Sequence, residues 1–163
     1  MTDPTYRVYA LAGMSPDQTQ DIVDQLARQY GAAPSMRRIT VEICRAMGAS
    51  PSDPEQIARA IQRWIQTQVQ FAREAGEQIL TPARTLLWRL GDCDDLTALA
   101  GACLLSLGVP YRSEVLLSPP HIWPQARVGG RWIHIEVSDP RVQFGEHPTA
   151  FLGRIRSGAA FAG

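Results

Sequence analysis

The sequence predicts one α+β domain, with helices first and an antiparallel sheet after them. Up to about residue 107, capped segments carry apolar residues at helical spacing. From residue 111 the pattern changes to short β-branched and aromatic runs broken by proline and glycine. The pair Gly129-Gly130 stands between two such runs, a two-residue hairpin signal.

The elements follow in order. TYRVYALA, residues 5–12, predicts a short strand or extended arm. SPDQTQDIVDQLARQYG predicts a helix capped by Ser15, opened by Pro16 and stopped by Gly31, with Ile22, Val23, Leu26 and Tyr30 as its stripe. A second helix over 36–47 ends at Gly48 and presents Ile39, Ile43 and Met47. A third, from 54 to 74, carries Ile57, Ile61, Trp64, Ile65, Gln68 and Phe71, with Trp64 in the core. EQILTPARTLLWRLG connects it to a helix that opens at Cys93 with Asp92 as N-cap. That helix has the stripe Leu96, Leu99, Ala100, Cys103, Leu104 and Leu107, closed by Gly108 and Pro110. YRSEVLL (111–117) predicts a strand, SPP breaks it, and HIWPQARV-GG-RWIHIEVS predicts a hairpin. Beyond Pro140 the pattern is irregular.

Composition removes several function classes. The chain has 163 residues, enough to bury a core. Its sixteen basic and sixteen acidic residues cancel, which leaves no electrostatic footprint for nucleic acid or anionic lipid. No apolar run approaches the roughly 18 residues of a membrane span. The opening MTDPTYRVYALAGMSPDQ lacks the basic-then-apolar pattern of a secretory leader. Three cysteines without paired spacing predict neither a zinc site nor a disulfide framework, which suits a reducing compartment.

Cys103 and Cys44 fall on apolar stripes and read as core residues. Cys93 differs, because it lies in the first turn, ahead of the stripe. A helix N-terminus offers free N–H groups and partial positive charge, both of which favour a thiolate. Asp94 and Asp95 oppose it, so an imidazolium has to tip the balance. Several hard oxygens around one soft sulfur, as in DCDD, match no common metal ion.

GDCDDLTALAGACLLSLGVPYRSEVL, followed by an H-x-W strand and a G-x-W strand, resembles the core of the transglutaminase-like superfamily. The GDCDD form resembles short members encoded by bacteriophages and prophages. The resemblance spans about residues 55–140, including the lead-in IQRWIQTQVQFAREAGEQILTPARTLL. It implies a papain-like core over that range inside a single domain of 1–163, with a helical part at 1–54 and a flexible tail at 155–163. It also implies Cys93 as nucleophile and His121 as general base, with an acid on an adjacent strand.

Two residues compete for the acid. Asp139 stands in an Asp-Pro pair resembling the family's pattern, whereas Glu136 stands at the family's distance from His121 and Trp132. If Gly129 and Gly130 form a two-residue loop, paired numbers sum to 259. Trp123 then lies opposite Glu136, and His121 and Glu136 share a face as diagonal neighbours, while Asp139 points away. That favours Glu136, with a bulge at Pro124 as the way the register would shift. His134 falls on the same face as a spare imidazole flanking the cleft, and His147 reads as surface. Trp88, Trp123, Asp92 and Asp94 are candidate substrate contacts. The tryptophans, with Trp132, suit a cover for the sheet equally well.

The chemistry implied by the resemblance is acyl transfer through a thioester, with hydrolysis of a peptide or amide bond favoured for so small a domain. A cross-linking transglutaminase and a phage structural or assembly protein that keeps the fold are the alternatives. The backbone N–H of Cys93 is the expected oxyanion donor. No metal or organic cofactor is required. The expected partners are a protein or peptide substrate and, for a phage protein, other phage structural proteins, with the cytoplasm or the phage particle as location.

Overall fold

The computed structural model describes residues 8–10, 13–73 and 78–150. The N-terminal half holds β1 (Val8–Ala10), α1 (Pro16–Gly31), α2 (Pro34–Ala46) and α3 (Pro54–Gln68). Then come β2 (Gln70–Phe71), β3 (Gln78–Leu80), α4 (Pro82–Trp88), β4 (Leu90–Gly91) and α5 (Cys93–Ser106). The chain continues with β5 (Tyr111–Leu117), β6 (Pro120–Val128) and β7 (Arg131–His134). This is the α+β order read from the sequence. The expected tail at 155–163 lies outside the described residues.

α5 is the hub. Nearly every residue from Asp95 to Leu104 is buried, as expected of a helix that is apolar on all sides. α1 to α4 and the three-stranded sheet pack around it. α1 crosses it at small residues: a Cβ on Gly101 would lie 2.7 Å from the Cβ of Ala27 and 2.7 Å from the Tyr111 ring. Gly31 does the same from the other side. It does not stop α1 but is its last residue, where a Cβ would meet the Cβ of Leu105 at 2.8 Å. Close helix contact, not chain termination, explains that glycine.

α3 ends at Gln68, short of the expected 74. Val69 is extended and the next two residues pair in parallel with β4, Gln70 with Leu90 and Phe71 with Gly91. Phe71, expected on the helix stripe, is exposed instead. The segment taken as a connection holds β3, which pairs with β1, and the short α4 capped by Thr81.

The sheet has the order β5-β6-β7, all antiparallel. Gly129 and Gly130 both have positive φ, 57° and 76°, as a type I′ hairpin turn requires. The register is the one their loop implies: Val128 with Arg131, through to Gln125 with His134. The Ile135 N–H adds one more bond to the Pro124 carbonyl at 3.0 Å. There is no bulge at Pro124. Lacking an N–H, proline cannot return the second bond of that pair, and the ladder ends there.

Candidate active site

Cys93 opens α5, and its surroundings come from the GDCDD run. The Asp92 carboxylate caps the helix by accepting from the N–H groups of Asp94 and Asp95 at 3.0 and 3.4 Å. Asp95 completes a capping box, with Oδ2 accepting from the Asp92 N–H at 3.1 Å and Oδ1 from the Leu80 N–H at 2.6 Å. Its carboxyl is fully buried, and burial and the nearby Asp92 charge push it up to about 8. Gly91 makes room for it, since a Cβ there would sit 2.8 Å from the Cβ of Asp95. Gly91, Asp92 and Asp95 thus each have a packing or capping task in the run.

The thiol does not sit as the sequence led us to expect. The helix N–H groups that would favour a thiolate are bound by Asp92. Burial, then the charges of Asp94 and Asp92, push the Cys93 thiol up to about 12. The Ile122 backbone N–H, which donates to Sγ, works against them without reversing the result. Sγ lies 4.0 Å from Asp94 Oδ1. The resting site holds a protonated thiol, because desolvation and two carboxylates outweigh the helix end. Cys103 and Cys44 are fully buried, as their stripes predicted, and burial raises both.

On the sheet, His121 Nε2 and Glu136 Oε2 are 2.6 Å apart. Glu136 is 2% exposed, and its other oxygen accepts from the Ser138 N–H at 2.6 Å. Two fixed partners leave the carboxylate no freedom to turn. Asp139 bonds instead to Arg141, by Nε at 2.9 Å and Nη2 at 2.8 Å. Burial pushes against ionisation there, but the hydrogen bonds and charge of Arg141, with His121 beyond, hold the Asp139 carboxyl below its ordinary range.

Cys93 and His121 line one cavity of about 280 Å³, with Met14, Asp94, Val115 and Leu117 among its other walls. A second hollow, which shares His121, Leu116 and Pro120 with the first, is lined also by Phe71, Glu136, Asp139 and Arg141. The apolar wall of the first cavity, from Met14 and β5, was not read from the sequence. Its signal was Leu117, 70% exposed at the end of an otherwise half-buried strand.

Three of the expected substrate contacts are corrected. Trp88 does not line the Cys93 cavity; it is exposed and lies under the Arg84 guanidinium. The Asp92 carboxylate is occupied as the helix cap. Trp123 is 2% exposed and stacks behind His121, with ring centroids 5.6 Å apart at 21°. Asp94 does line the cavity. His147, expected at the surface, packs edge-on against Trp123 and His134.

Glu114, His134 and His147 bring one oxygen and two nitrogens within 4.8 Å of one another, a donor set suited to a divalent cation. Their hydrogen bonds argue against one. A histidine that binds metal through one nitrogen donates a proton from the other. Here His134 Nδ1 accepts from the Trp123 indole at 3.0 Å, and His147 Nδ1 from the Thr149 backbone N–H at 3.1 Å. Both partners are donors only, so each ring carries its proton on Nε2, where a metal would have to bind. The trio is held in place by hydrogen bonds from Trp123, Gln125 and Thr149.

In this α+β chain a cysteine that opens a helix and a strand histidine bound to a buried carboxylate line one cavity. The sequence profile of the transglutaminase-like superfamily matches residues 41–137, and the chain belongs to that superfamily. The papain-like, transglutaminase-like fold follows. Among solved structures, one from Cytophaga hutchinsonii, described as a "putative cysteine protease", is 19% identical with a TM-score of 0.46. The alignment covers 82% of this chain and 49% of that one, so the chain spans about half its length. No curated protein matches the sequence.

Proposed function

We propose that the protein is a cysteine-dependent acyl hydrolase acting on a peptide or amide bond, with Cys93 as nucleophile, His121 as general base and Glu136 as the orienting acid. One observation carries this reading: His121, tied to Glu136 at 2.6 Å, lines the cavity that holds the one half-buried cysteine. A carboxylate accepts only, so Nε2 donates to Glu136 and Nδ1 keeps its lone pair for the thiol proton.

The steps follow from that tautomer. As Sγ attacks the carbonyl carbon, His121 Nδ1 takes the thiol proton and the carbonyl oxygen becomes an oxyanion, met by the Cys93 backbone N–H. His121 then protonates the departing amine, leaving a thioester on Cys93. Water attacks the thioester, gives its proton to His121, and the thiolate recovers it as the acid leaves. Because the resting thiol is protonated, activation belongs to the moment of attack and not to a standing ion pair.

The test is acylation by p-nitrophenyl acetate near neutral pH, with the acetyl group located by mass spectrometry. Acetyl on Cys93, its release by water, and loss of both in Cys93→Ala are expected. Release that accelerates with an added primary amine would replace hydrolysis by transamidation. No acylation of Cys93 would overturn the enzymatic reading and favour an assembly protein that keeps the fold, phage-encoded or not.

A further inference from the structure

Trp123, which stacks on His121, belongs to a polar chain that the proposed chemistry does not use. Its order is fixed by the donors at its ends. The Arg112 guanidinium donates to Gln125 Oε1. Arginine has no acceptor, so the Gln125 amide is oriented with Nε2 toward Glu114, 2.9 Å away, and toward His134 Nδ1, also 2.9 Å away. The Trp123 indole N–H converges on the same nitrogen at 3.0 Å. Two donors therefore meet one imidazole nitrogen, which has to carry a lone pair. Trp123 in turn stacks on the His121 ring.

We propose that neutral His134 is a positioning residue for His121, acting through Trp123, and that a proton on His134 releases this support. The inference rests on the reading of His121 as general base. In the neutral ring, Nδ1 accepts from the Trp123 indole and holds it flat against the imidazole. A proton placed on Nδ1 faces two N–H donors, and both bonds are lost. The Glu114 carboxylate, with Oε2 3.5 Å from Nδ1, becomes the partner of the new N–H. The same nitrogen thus has two arrangements, acceptor from β6 or donor to β5, and only the first supports the base.

The groups around His134 bear on the balance. Burial lowers its tendency to take a proton, and His147 and Arg112 add to this, while Glu114 opposes them. His147 packs at 4.7 Å between ring centroids. The chain therefore favours the supporting form at neutral pH and loses it on the acid side of an ordinary histidine titration.

The experiment compares wild type with His134→Asn and His134→Leu. Asparagine keeps an acceptor near the Nδ1 position but does not titrate, whereas leucine offers none. Nitrogen-15 NMR of the histidines and of the Trp123 indole N–H, assigned through Trp123→Phe, reads the network without any substrate. Acylation of Cys93 by p-nitrophenyl acetate reads its consequence. Expected are a His134 ring protonated on Nε2 alone at neutral pH and a Trp123 indole signal that shifts on acidification in wild type but not in His134→Asn. Acylation should fall about fivefold in His134→Leu, the size of one neutral hydrogen bond. It should recover in His134→Asn, with a shallower acid limb than wild type. A His134 proton on Nδ1 at neutral pH, or an indole shift that persists in His134→Asn, overturns the switch. Acylation that falls in His121→Ala yet is untouched in His134→Leu overturns the positioning role. Should wild-type Cys93 not acylate at all, the general-base reading fails, and the positioning role that rests on it goes too.

Discussion

On the helix side of the cleft, three carboxylates surround the turn that carries Cys93; on the sheet side, one buried carboxylate holds His121. Asp92 and Asp95 spend their oxygens on backbone N–H groups, while the charges of Asp94 and Asp92 fall on the thiol as a cost. Glu136 spends one oxygen on the Ser138 N–H and the other on the imidazole itself. The helix side is built for a firm helix start and keeps the Cys93 thiol protonated. The sheet side is built to fix a ring. A carboxylate stabilises a site only where its geometry commits it to the reacting group; elsewhere near a thiol it opposes ionisation.

The sharpest way to break this comparison is to remove the committed carboxylate. Glu136→Gln keeps the shape and removes the charge that orients His121. It should lower Cys93 acylation by up to about four decades, the loss seen when an orienting acid is neutralised in a protease triad. Circular dichroism and a urea melt would check that the variant is folded. An unchanged rate would reduce the site to a Cys93–His121 dyad.

On the helix side the largest expected effect is on stability. Gly91→Ala puts a Cβ 2.8 Å from that of Asp95, a member of the capping box, at a residue paired with Phe71. Asp95 is held by hydrogen bonds from the Leu80 and Asp92 N–H groups, so overpacking should cost about 1–3 kcal/mol in a urea melt. A neutral result would mean that β4 relaxes and that the first turn is looser than its hydrogen bonds imply.

These two positions also show what was legible in the sequence. The cap of α5 could be read because Asp92, Cys93 and the stripe to Leu104 are local, and one helix phase places them all. That Glu136 and not Asp139 lies against His121 could be read because a two-glycine turn sets a register, which parity extends just past the last paired residues. The end of α3 could not, since Gln68 and Phe71 keep helical spacing and only pairing with residues 90–91 draws the chain into a strand. Gly31 looked like a stop because its reason, the Cβ of Leu105, is 74 positions away. The place of Trp123 behind His121 was half visible, as both share a face, but its bond to His134 needs the folded sheet.

A smaller effect should come from Asp94, which lines the cavity and is the first charge, after burial itself, that raises the Cys93 thiol. Its side chain does not cap α5; the cap is Asp92. Asp94→Asn should therefore lower the thiol pKa and raise the rate of Cys93 carbamidomethylation by iodoacetamide at fixed pH. A tenfold gain would correspond to about one pKa unit. A slower rate would mean that Asp94 assists the thiol, reversing the contrast between the two sides.

The smallest effect belongs to the carboxylate that the sequence offered as a rival. Asp139 faces Arg141 in a partly exposed pair, with no bond to the imidazole. Its folded carboxyl titrates below its ordinary value, so the stability it contributes is present above that value. That stability is lost as pH falls through the depressed folded pKa. Asp139→Asn should cost less than about 1 kcal/mol at neutral pH, as solvent-screened pairs do. The difference from wild type should vanish once the medium is acid enough to protonate Asp139 in both states. Acylation of Cys93 should change little, because the ring keeps Glu136. Paired urea melts, neutral and acid, separate this from any role in the site: a gap that stays constant with pH would locate the effect in packing. A rate loss matching that of Glu136→Gln would show Asp139 reaching His121 in solution, and the line drawn between committed and uncommitted carboxylates would have to move.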